Sequence, residues 1–405
     1  MSDVEAPPSR NPGEPVFVIP CDSYEKDLLT GKIGEAMQAI GLTPLMLNGK
    51  RIAVKPNLVI RKDPSIAATT NPVFLDAFLS WLESFCEPKD LVLAESSGGP
   101  YTEASLRAIY RECGIQRAVE THSIRLNYDV SSKSVSAPSG KACRQFDLIT
   151  PIEEADVIFN LSKLKSHSLT RMSGAVKNTF GCIPGLTKFE YHARFPKNDL
   201  FQSMLVDLSD LLHSSRTVID LQDAIIGMEG NGPTAGTPRK IGVVLCSRNP
   251  FCLDRIAEAI LGCPGETGML KEASERGFCP ERADEVVSLG ADWQEYVLSD
   301  FKAPDSRVSL SSALSWLPNL FGGKVYAWFE PRPVIRKKTC VGCGECARSC
   351  PVHTITMVPD RKGKRHARIN PDSCIRCFCC QELCPFRSID IRKNPVLKGL
   401  AALRR

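Results

Sequence analysis

The chain has 405 residues, of which 43% are apolar and 24% charged, a composition typical of a globular protein with two or three domains. No apolar stretch approaches the roughly 18–20 residues of a membrane-spanning helix. Residues 1–15 are polar and lack the basic and apolar pattern of a secretory signal. We therefore expect a cytoplasmic protein without a membrane span, with a disordered N-terminus at residues 1–15.

From residue 16 to residue 305, short apolar runs alternate with amphipathic stretches. The predicted strands cover residues 16–19, 51–55, 91–95, 157–161, 218–221 and 241–246. The predicted helices cover residues 26–40, 73–85, 102–112, 200–213 and 253–261. Strands rich in Val, Ile and Leu that alternate with helices indicate an α/β domain with a mostly parallel sheet and flanking helices.

Polar groups follow several of these strands at the points where the strands are predicted to end. Any one such segment is more often an ordinary surface loop. The carboxyl ends of parallel strands meet at one edge of a sheet, however, and ligands of open α/β folds bind there. We therefore expect a binding site at this edge. Its predicted substrate-binding residues are Lys55, Asn57, Ser97, Gly98, Lys163, Asn178, Asp220 and Glu229.

The densest polar segment covers residues 160–185. Side chains alternate along a strand, so Lys163, Lys165 and His167 should share one face if the strand continues. A helix capped by Ser168 or Thr170 is then expected to follow, because apolar residues recur at helical spacing up to residue 180. Two lysines and a histidine before a helix N-terminus favour an anion such as phosphate, carboxylate or enolate.

Four residues of this domain are predicted to be catalytic: His167, Lys165, Lys177 and His192. The alternative is a solvated cluster of lysines. No G-x-x-x-x-G-K-[ST] loop occurs in the chain, and no G-x-G-x-x-G follows the first strand. The sequence therefore gives no support for ATP or dinucleotide binding through those motifs.

Residues 306–333 are rich in aromatic residues and proline, and we predict a connector that packs against one or both domains. The chain ends in a short basic tail at residues 393–405. Between these two segments, residues 334–392 contain nine of the 18 cysteines.

These cysteines form two runs of the pattern C-x2-C-x2-C-x3-C-P at an offset of 34 residues. The first run begins at Cys340 and ends at Cys350-Pro351, and the second begins at Cys374 and ends at Cys384-Pro385. Zinc sites use two separated C-x2–4-C pairs, whereas this spacing is typical of [4Fe–4S] ligation. The sequence therefore predicts two [4Fe–4S] clusters.

Three cysteines on a tight loop hold one face of a cubane, and the fourth cysteine of each run serves the other cluster. The predicted ligands of the first cluster are Cys340, Cys343, Cys346 and Cys384. Those of the second are Cys374, Cys377, Cys380 and Cys350. Cys379 lies off the repeat and is predicted to be a buried thiol.

The basic charge is concentrated here, since residues from Pro331 onward carry 17 Lys and Arg but 5 Asp and Glu. A basic half-chain can indicate nucleic-acid binding. Thiolate-ligated clusters are themselves anionic, however, and basic side chains offset them. We therefore predict no nucleic-acid partner, and instead a soluble electron donor or acceptor.

Residues 334–392 resemble bacterial-type two-cluster ferredoxins, which implies a small α+β domain. The preceding region resembles the family known as domain of unknown function 362, often fused to such a module. The residues that carry this resemblance are Lys55-Pro56-Asn57, Ser97-Gly98-Gly99, Lys163-Leu-Lys165-Ser-His167, Gly174-Ala-Val-Lys177-Asn178-Thr-Phe-Gly181, Asp220 and Glu229-Gly-Asn-Gly-Pro233. The family implies an iron–sulfur protein but names no reaction.

The sequence favours a reductase in which the clusters pass electrons to a reaction at the lysine-rich sheet edge. Lys163, Lys165 and Lys177 would then hold an anionic substrate, and His167 or His192 would move protons. Two alternatives stay open. The protein could be a non-catalytic carrier, docking or metal- or cluster-assembly protein, or a non-redox enzyme with structural clusters.

Overall fold

The computed structural model describes residues 8–305, 331–360 and 363–392. Most of the predicted connector and the whole basic tail lie outside these residues. Residues 8–15, which the sequence places in a disordered N-terminus, are ordered: Arg10 donates from Nε and Nη2 to the carboxylate of Asp210 at 2.8 and 2.7 Å. Residues 8–15 therefore pack against the first domain.

The first 305 residues contain the strands β1 (Val16–Pro20), β2 (Arg51–Pro56), β3 (Asp90–Leu93), β4 (Arg125–Leu126), β5 (Ser132–Ser136), β6 (Gln145–Ile149), β7 (Val157–His167), β8 (Arg171–Ser173), β9 (Thr217–Glu229), β10 (Thr237–Ser247) and β11 (Ser288–Gly290). Their helices are α1 (Lys26–Ala39), α2 (Pro72–Phe85), α3 (Glu103–Glu112), α4 (Ile115–Ala118), α5 (Thr150–Glu153), α6 (Ala175–Asn178), α7 (Thr187–Arg194), α8 (Asn198–Ser215), α9 (Pro250–Ile260) and α10 (Gly268–Glu275). Each predicted strand and helix overlaps one of these elements.

The main sheet has the strand order β11-β1-β10-β9-β7-β2-β3-β4, with β8 paired to β7. The half from β9 to β4 is parallel, while β10 is antiparallel to both β9 and β1. The predicted fold class, a mostly parallel sheet with flanking helices, is confirmed. The carboxyl ends of β2, β3 and β7 therefore lie at one edge, as the site hypothesis requires.

Apolar residues cover both faces of this sheet, which is why the central strands are buried on both sides. On β7, Ile158 and Leu164 face the core that contains the apolar residues of α8 and α9. Phe159 and Leu161 face the opposite core, which contains those of α1 and α2. All 11 residues of β7 are buried, so the polar residues near its end must find partners inside the protein.

The prediction of a helix that starts at Ser168 or Thr170 is wrong. The chain instead turns at residues 168–170 and returns as β8, with His167 paired to Arg171 and Lys165 to Ser173. Ser168 stabilises the turn by donating from its backbone N–H and its hydroxyl to the carbonyl of Gly232, at 3.1 and 2.7 Å. A helix begins only at Ala175 and has a single turn.

The C-terminal region contains β12 (Arg332–Ile335), α11 (Glu345–Arg348), β13 (Ile355–Pro359), β14 (Arg365–Ile369), α12 (Cys379–Glu382) and β15 (Ile389–Arg392). Strands β12 and β15 form one antiparallel pair, and β13 and β14 form another. Strand β12 begins inside the segment predicted as a connector. Short helices and small antiparallel sheets give the expected ferredoxin-like α+β arrangement.

The ferredoxin-like region packs against the carboxyl edge of the main sheet. Helix α12 makes two of the contacts: Thr234 donates its hydroxyl to the carbonyl of Glu382 at 2.8 Å, and Gln381 donates to the carbonyl of Asn231 at 3.2 Å. Lys62 adds a hydrogen bond to the carbonyl of Pro385 at 3.1 Å. Within the described residues, no helix is both long enough and apolar enough to cross a membrane.

Candidate functional site

The fourth cysteine of the second run lies beside the first run. One cavity, with about 350 Å³ of empty space, is lined by the following four cysteines: Cys340, Cys343, Cys346 and Cys384. The first three belong to the first run and the last belongs to the second. Burial, followed by the nearby thiol of Cys384, raises the pKa of Cys346 to about 11.

Cys350, the fourth cysteine of the first run, lies near Cys374 of the second run. Burial raises the pKa of Cys374, and the thiols of Cys377 and Cys350 raise it further because both lie close to it. The backbone N–H of Thr354 donates to Cys350 Sγ at 3.4 Å, and that of Ser388 donates to Cys384 Sγ at 3.2 Å. Such N–H···S bonds are among the interactions that tune iron–sulfur clusters.

These residues fit [4Fe–4S] cubanes better than single ions. Across the described ranges, no three His, Cys, Asp or Glu side chains converge closely enough to bind one metal ion. A cubane is wider than an ion and holds its four thiolates further apart. The chemistry of an all-cysteine donor set around a cavity therefore suits the clusters predicted from the sequence.

A second, larger cleft lies between the main sheet and the ferredoxin-like region. Its empty space, together with the open solvent at its mouth, is about 700 Å³. Its floor contains Lys165, His167 and Lys177, and Cys379 and Glu382 of α12 form the facing wall. We call this the interdomain cleft. It brings the lysine-rich sheet edge against the loop that holds the second cysteine run.

Lys165 and His167 project into the interdomain cleft from the end of β7. Lys165 donates to Asn57 Oδ1 at 2.7 Å and to the carbonyl of Ala68 at 2.5 Å. Burial, assisted by the positive charges of Lys177 and Lys163, lowers the pKa of Lys165 to about 7. The amine therefore changes its charge near neutral pH.

His167 is held as a single tautomer. Its Nδ1 accepts the backbone N–H of Leu169 at 3.1 Å and lies 3.4 Å from that of Thr170, so the ring proton of neutral His167 resides on Nε2. Nε2 lies 3.5 Å from Glu382 Oε1 across the cleft. Burial is the main cause that lowers the pKa of His167 well below its usual value.

Lys177 and His192 also line the interdomain cleft. Lys177 Nζ lies 4.6 Å from the centroid of the Phe180 ring. Among the described residues it makes no hydrogen bond or ion pair. His192 stacks on Phe201 with ring centroids 4.2 Å apart, and burial lowers its pKa to about 3. His192 is thus a neutral part of an aromatic wall, whereas Lys177 is a cation facing the cleft.

Lys188 and Glu382 are among the polar residues of the cleft that the sequence analysis missed. Lys188 on α7 is buried and donates to the carbonyl oxygens of Ser96 and Ser97. Glu382 on α12 presents an Oε1 atom that has no hydrogen-bond partner in the described part of the chain. Neither residue follows a strand of the main sheet, so the pattern that located the other residues gave no signal for them.

Asn57 and Asn178 begin a buried chain of hydrogen bonds that leads away from the cleft. Asn57 Nδ2 donates to Asn178 Oδ1 at 2.8 Å, and Asn178 Nδ2 donates to Asn160 Oδ1 at 2.7 Å. Asn160 then donates to Asp220 Oδ1 at 2.6 Å, and His213 Nε2 lies 2.8 Å from Asp220 Oδ2. This network fixes the amides that face the cleft.

Several other predicted site residues do not line the interdomain cleft. Asp220 lies inside β9 rather than at its end, because the strand runs on to Glu229. Lys163 is paired with Asp223 at 2.8 Å, and Lys55 with Glu95 at 2.8 Å. These three residues are buried and already have partners, so they stabilise the structure around the cleft and do not line it.

Glu229 and Ser97 also lie away from the lining of the cleft. Glu229 Oε2 accepts the backbone N–H of Lys302 at 3.2 Å. Ser97 contributes its carbonyl to Lys188, while the neighbouring Gly98 does line the cleft. A Cβ atom on Gly98 would lie 2.9 Å from Leu383 Cδ2, so glycine permits the close approach of the ferredoxin-like region.

Gly174 and Gly181 keep the loop that carries Lys177 and Asn178 close to the sheet. Asp254 accepts the backbone N–H groups of Ala175 and Val176 at 2.7 and 2.9 Å. A Cβ atom on Gly174 would lie 2.1 Å from Asp254 Oδ1, and one on Gly181 would lie 2.2 Å from an oxygen of Glu95. Both positions therefore require glycine.

Comparison with known proteins identifies the families of the two regions. Residues 339–388 match the family described as 4Fe-4S dicluster domain, so the protein is an iron–sulfur protein of the electron-carrier class. Residues 52–259, slightly more than half of the chain, match the domain of unknown function DUF362. The chain belongs to the DUF362 family, and the fusion expected from the sequence is confirmed.

Two relatives and one solved structure illustrate the similarity. A thylakoid-associated protein of Synechocystis sp. is 27% identical over 298 residues, covering 72% of this chain and 88% of its own length. NADH-quinone oxidoreductase subunit I 2 of Symbiobacterium thermophilum is 35% identical over 74 residues, covering 15% of this chain and 31% of its own length. A crystal structure of a Thermotoga maritima protein aligns with a TM-score of 0.36 at 12% identity, covering 66% of this chain and 61% of that chain.

Proposed function

We propose that the protein is a reductase that binds two [4Fe–4S] clusters and reduces a small anionic substrate in the interdomain cleft. One observation carries this proposal. The same cleft is lined by Cys379 and Glu382, which lie beside ligands of the second cysteine run, and by the lysines of the sheet edge. When bound, the clusters supply electrons one at a time. A substrate in this cleft lies against the segment that holds the second cluster.

The lysines of the cleft support an anionic substrate. Lys177 has no carboxylate partner among the described residues, and Lys165 and Lys188 donate only to carbonyl or amide oxygens. Burial lowers the pKa of Lys177, and the carboxylate of Glu382 opposes this from beyond ion-pair distance. A buried cation without a direct ion pair is costly, so an anion that enters the cleft gains a strong interaction. The aromatic ring of Phe180 also lines the cleft and can contact an apolar part of the substrate.

His167 is the proposed proton donor. Its tautomer places the ring proton on Nε2, which faces the cleft, while Nδ1 is occupied by backbone N–H groups. The ammonium form of Lys165 is a second source of a proton, because its pKa of about 7 allows release near neutral pH. Reduction that consumes both electrons and protons can therefore take both from groups around one cleft.

Turnover tests the proposal directly. Protein reconstituted anaerobically is reduced with dithionite, freed of excess reductant, and mixed with a panel of small carboxylates and phosphates. We expect the bleached visible absorbance to return with at least one compound in the wild type and not in Lys177→Met. Cluster content should be the same in both proteins. The proposal is overturned if no compound restores the absorbance, or if Lys177→Met responds as fast as the wild type.

Replacement of Lys165 by alanine should weaken anion binding by roughly 1.5–3 kcal/mol, the usual contribution of a charged hydrogen bond. Calorimetric titration with oxalate measures this loss. Lys62→Ala is the matched control, because Lys62 is a lysine at the domain contact that lies outside the lining of the cleft. Equal affinity in Lys165→Ala and the wild type would show that the lysines of the cleft do not bind anions.

Anion binding should also weaken as the pH rises through about 7. The pKa of Lys165 is lowered by burial and by Lys177 and Lys163, and Glu382 and Glu95 oppose this shift. A lowered lysine pKa means that the cation is present below about pH 7 and lost above it. Oxalate keeps its charge over this range, so its dissociation constant should increase with pH. A constant affinity between about pH 6 and about pH 8.5 would contradict the prediction.

A further inference from the structure

Lys165 differs from the ion-paired lysines that surround it. Lys55 is paired with Glu95 and Lys163 with Asp223, each at 2.8 Å. Lys165 has no carboxylate within ion-pair distance among the residues that the structure describes, although it is only 1% exposed. Its two hydrogen bonds go to an amide oxygen and a backbone carbonyl, neither of which carries a charge.

These two contacts suit an uncharged amine. A neutral lysine has two N–H groups and one lone pair. Asn57 Oδ1 and the carbonyl of Ala68 accept two N–H bonds and thereby occupy both donors. The lone pair of Nζ is then left available for reaction, and Lys165 lines the interdomain cleft.

The neighbouring charges favour the same state. Burial and the cations of Lys177 and Lys163 lower the pKa of Lys165 to about 7, so a large fraction of the amine is unprotonated at neutral pH. Desolvation and a nearby cation are the two means by which proteins make a lysine nucleophilic. Both act on Lys165.

We propose that Lys165 forms a Schiff base with a short oxo acid that binds in the interdomain cleft. The carbonyl carbon of the oxo acid lies at Lys165 Nζ, and its carboxylate pairs with Lys177, which makes no ion pair among the described residues and contacts the ring of Phe180. Glu382 Oε1, which has no hydrogen-bond partner among the described residues and lies 3.5 Å from His167 Nε2, accepts a hydrogen bond from the hydroxyl or iminium group that the reaction produces.

The reaction is balanced without an oxidant or a reductant. The lone pair of Lys165 Nζ adds to the carbonyl carbon, and one proton from the amine reaches the former carbonyl oxygen, which gives a carbinolamine. His167 Nε2, which faces the cleft, donates a proton to this hydroxyl, which leaves as water, and recovers the second proton of Lys165 Nζ, so His167 ends as it began. The imine nitrogen then takes up a proton from solvent. One C=N bond replaces one C=O bond, and water is released.

This inference deepens the proposed function, since it names the substrate class for the same cleft. A protonated imine accepts electrons more readily than the parent carbonyl group, because it already carries a positive charge. Covalent attachment would thus prepare the substrate for reduction. Schiff-base formation itself needs no electron from the protein, so the two ideas can fail separately.

Reductive trapping tests the proposal. Holoprotein is incubated anaerobically with glyoxylate or pyruvate and sodium cyanoborohydride, digested, and mapped by mass spectrometry. We expect the peptide that contains Lys165 to gain the mass of the oxo acid less one oxygen atom. Propionate, which has the carboxylate but no carbonyl group, should give no adduct. Lys62→Met is the matched variant, because it removes a lysine at the domain contact that lies outside the lining of the cleft and should leave the labelling of Lys165 intact.

Mapping of the wild-type protein keeps the test valid even if Lys165→Met does not fold. No adduct, an adduct mainly on Lys177 or Lys188, or equal labelling of many surface lysines would overturn the proposal. An adduct on Lys165 without reoxidation of the reduced protein by the oxo acid would support the Schiff base and reject the reductase. Reoxidation that depends on Lys177 without any adduct would do the reverse.

Discussion

With serine in place of Cys350, reconstituted protein should contain about half of the iron of the wild type, for which about eight irons and eight sulfides per chain are expected. The loss should fall on the cluster held by Cys374, Cys377 and Cys380. The reason is geometric, because Cys350 lies close enough to Cys374 to raise its pKa, while Cys384 occupies the cavity of the first run. Iron and sulfide analysis with electron paramagnetic resonance of the reduced protein measures the result.

Cys346→Ser is the matched control, since Cys346 lies four residues earlier in the same run and lines the cavity that also contains Cys384. The two variants should perturb different clusters and therefore leave different residual spectra. If both variants remove the same signal, the cysteines do not exchange between the runs. Cys379→Ser should retain the full iron content, because Cys379 lies off the repeat and packs against Phe189 and Leu383.

The cysteine runs could be interpreted from the sequence because their spacing is itself the ligand geometry. The α/β elements could be predicted for a similar reason, since the period of apolar residues reflects which faces of β7 and α2 are buried. The turn after His167 could not be predicted from the sequence. It depends on Gly232, which lies 64 residues beyond Ser168 and accepts its backbone and hydroxyl hydrogen bonds. Helical spacing of apolar residues persists there although the chain forms a hairpin.

The candidate site was predicted in part for physical reasons as well. The rule that ligands bind at strand ends located Lys165, His167 and Asn57, because β2 and β7 both end at the cleft. The same rule misplaced Asp220. A charged residue after an apolar run suggests the end of a strand, but this carboxylate is buried inside β9, where Asn160 and His213 are its partners. Residues contributed by a second region of the chain carry no such pattern.

Glu382 is the clearest example. It lies between two cluster cysteines, so its sequence context indicates only a cofactor loop. Its position opposite His167 follows from packing between the two regions, where Thr234 and Gln381 make hydrogen bonds across the contact. The sequence therefore predicted two separate sites, and the structure brings them together at one cleft.

Replacement of Gly174 by alanine should lower the free energy of unfolding by about 1–3 kcal/mol, as expected for a methyl group forced into a packed core. Its Cβ atom would lie 2.1 Å from Asp254 Oδ1 and 2.8 Å from Gln222 Nε2, so Asp254 would have to release the N–H groups of Ala175 and Val176. Lys177 would then lose its fixed position, and oxalate binding should weaken as well.

Gly31→Ala is the matched control: Gly31 lies inside α1 with nothing within 4 Å of its Cβ position, and alanine there should stabilise the helix by about 0.5–1 kcal/mol. Urea unfolding of the anaerobic holoprotein, followed by circular dichroism, measures both changes, and a Gly174→Ala protein as stable as the wild type would contradict the packing of this loop against Asp254.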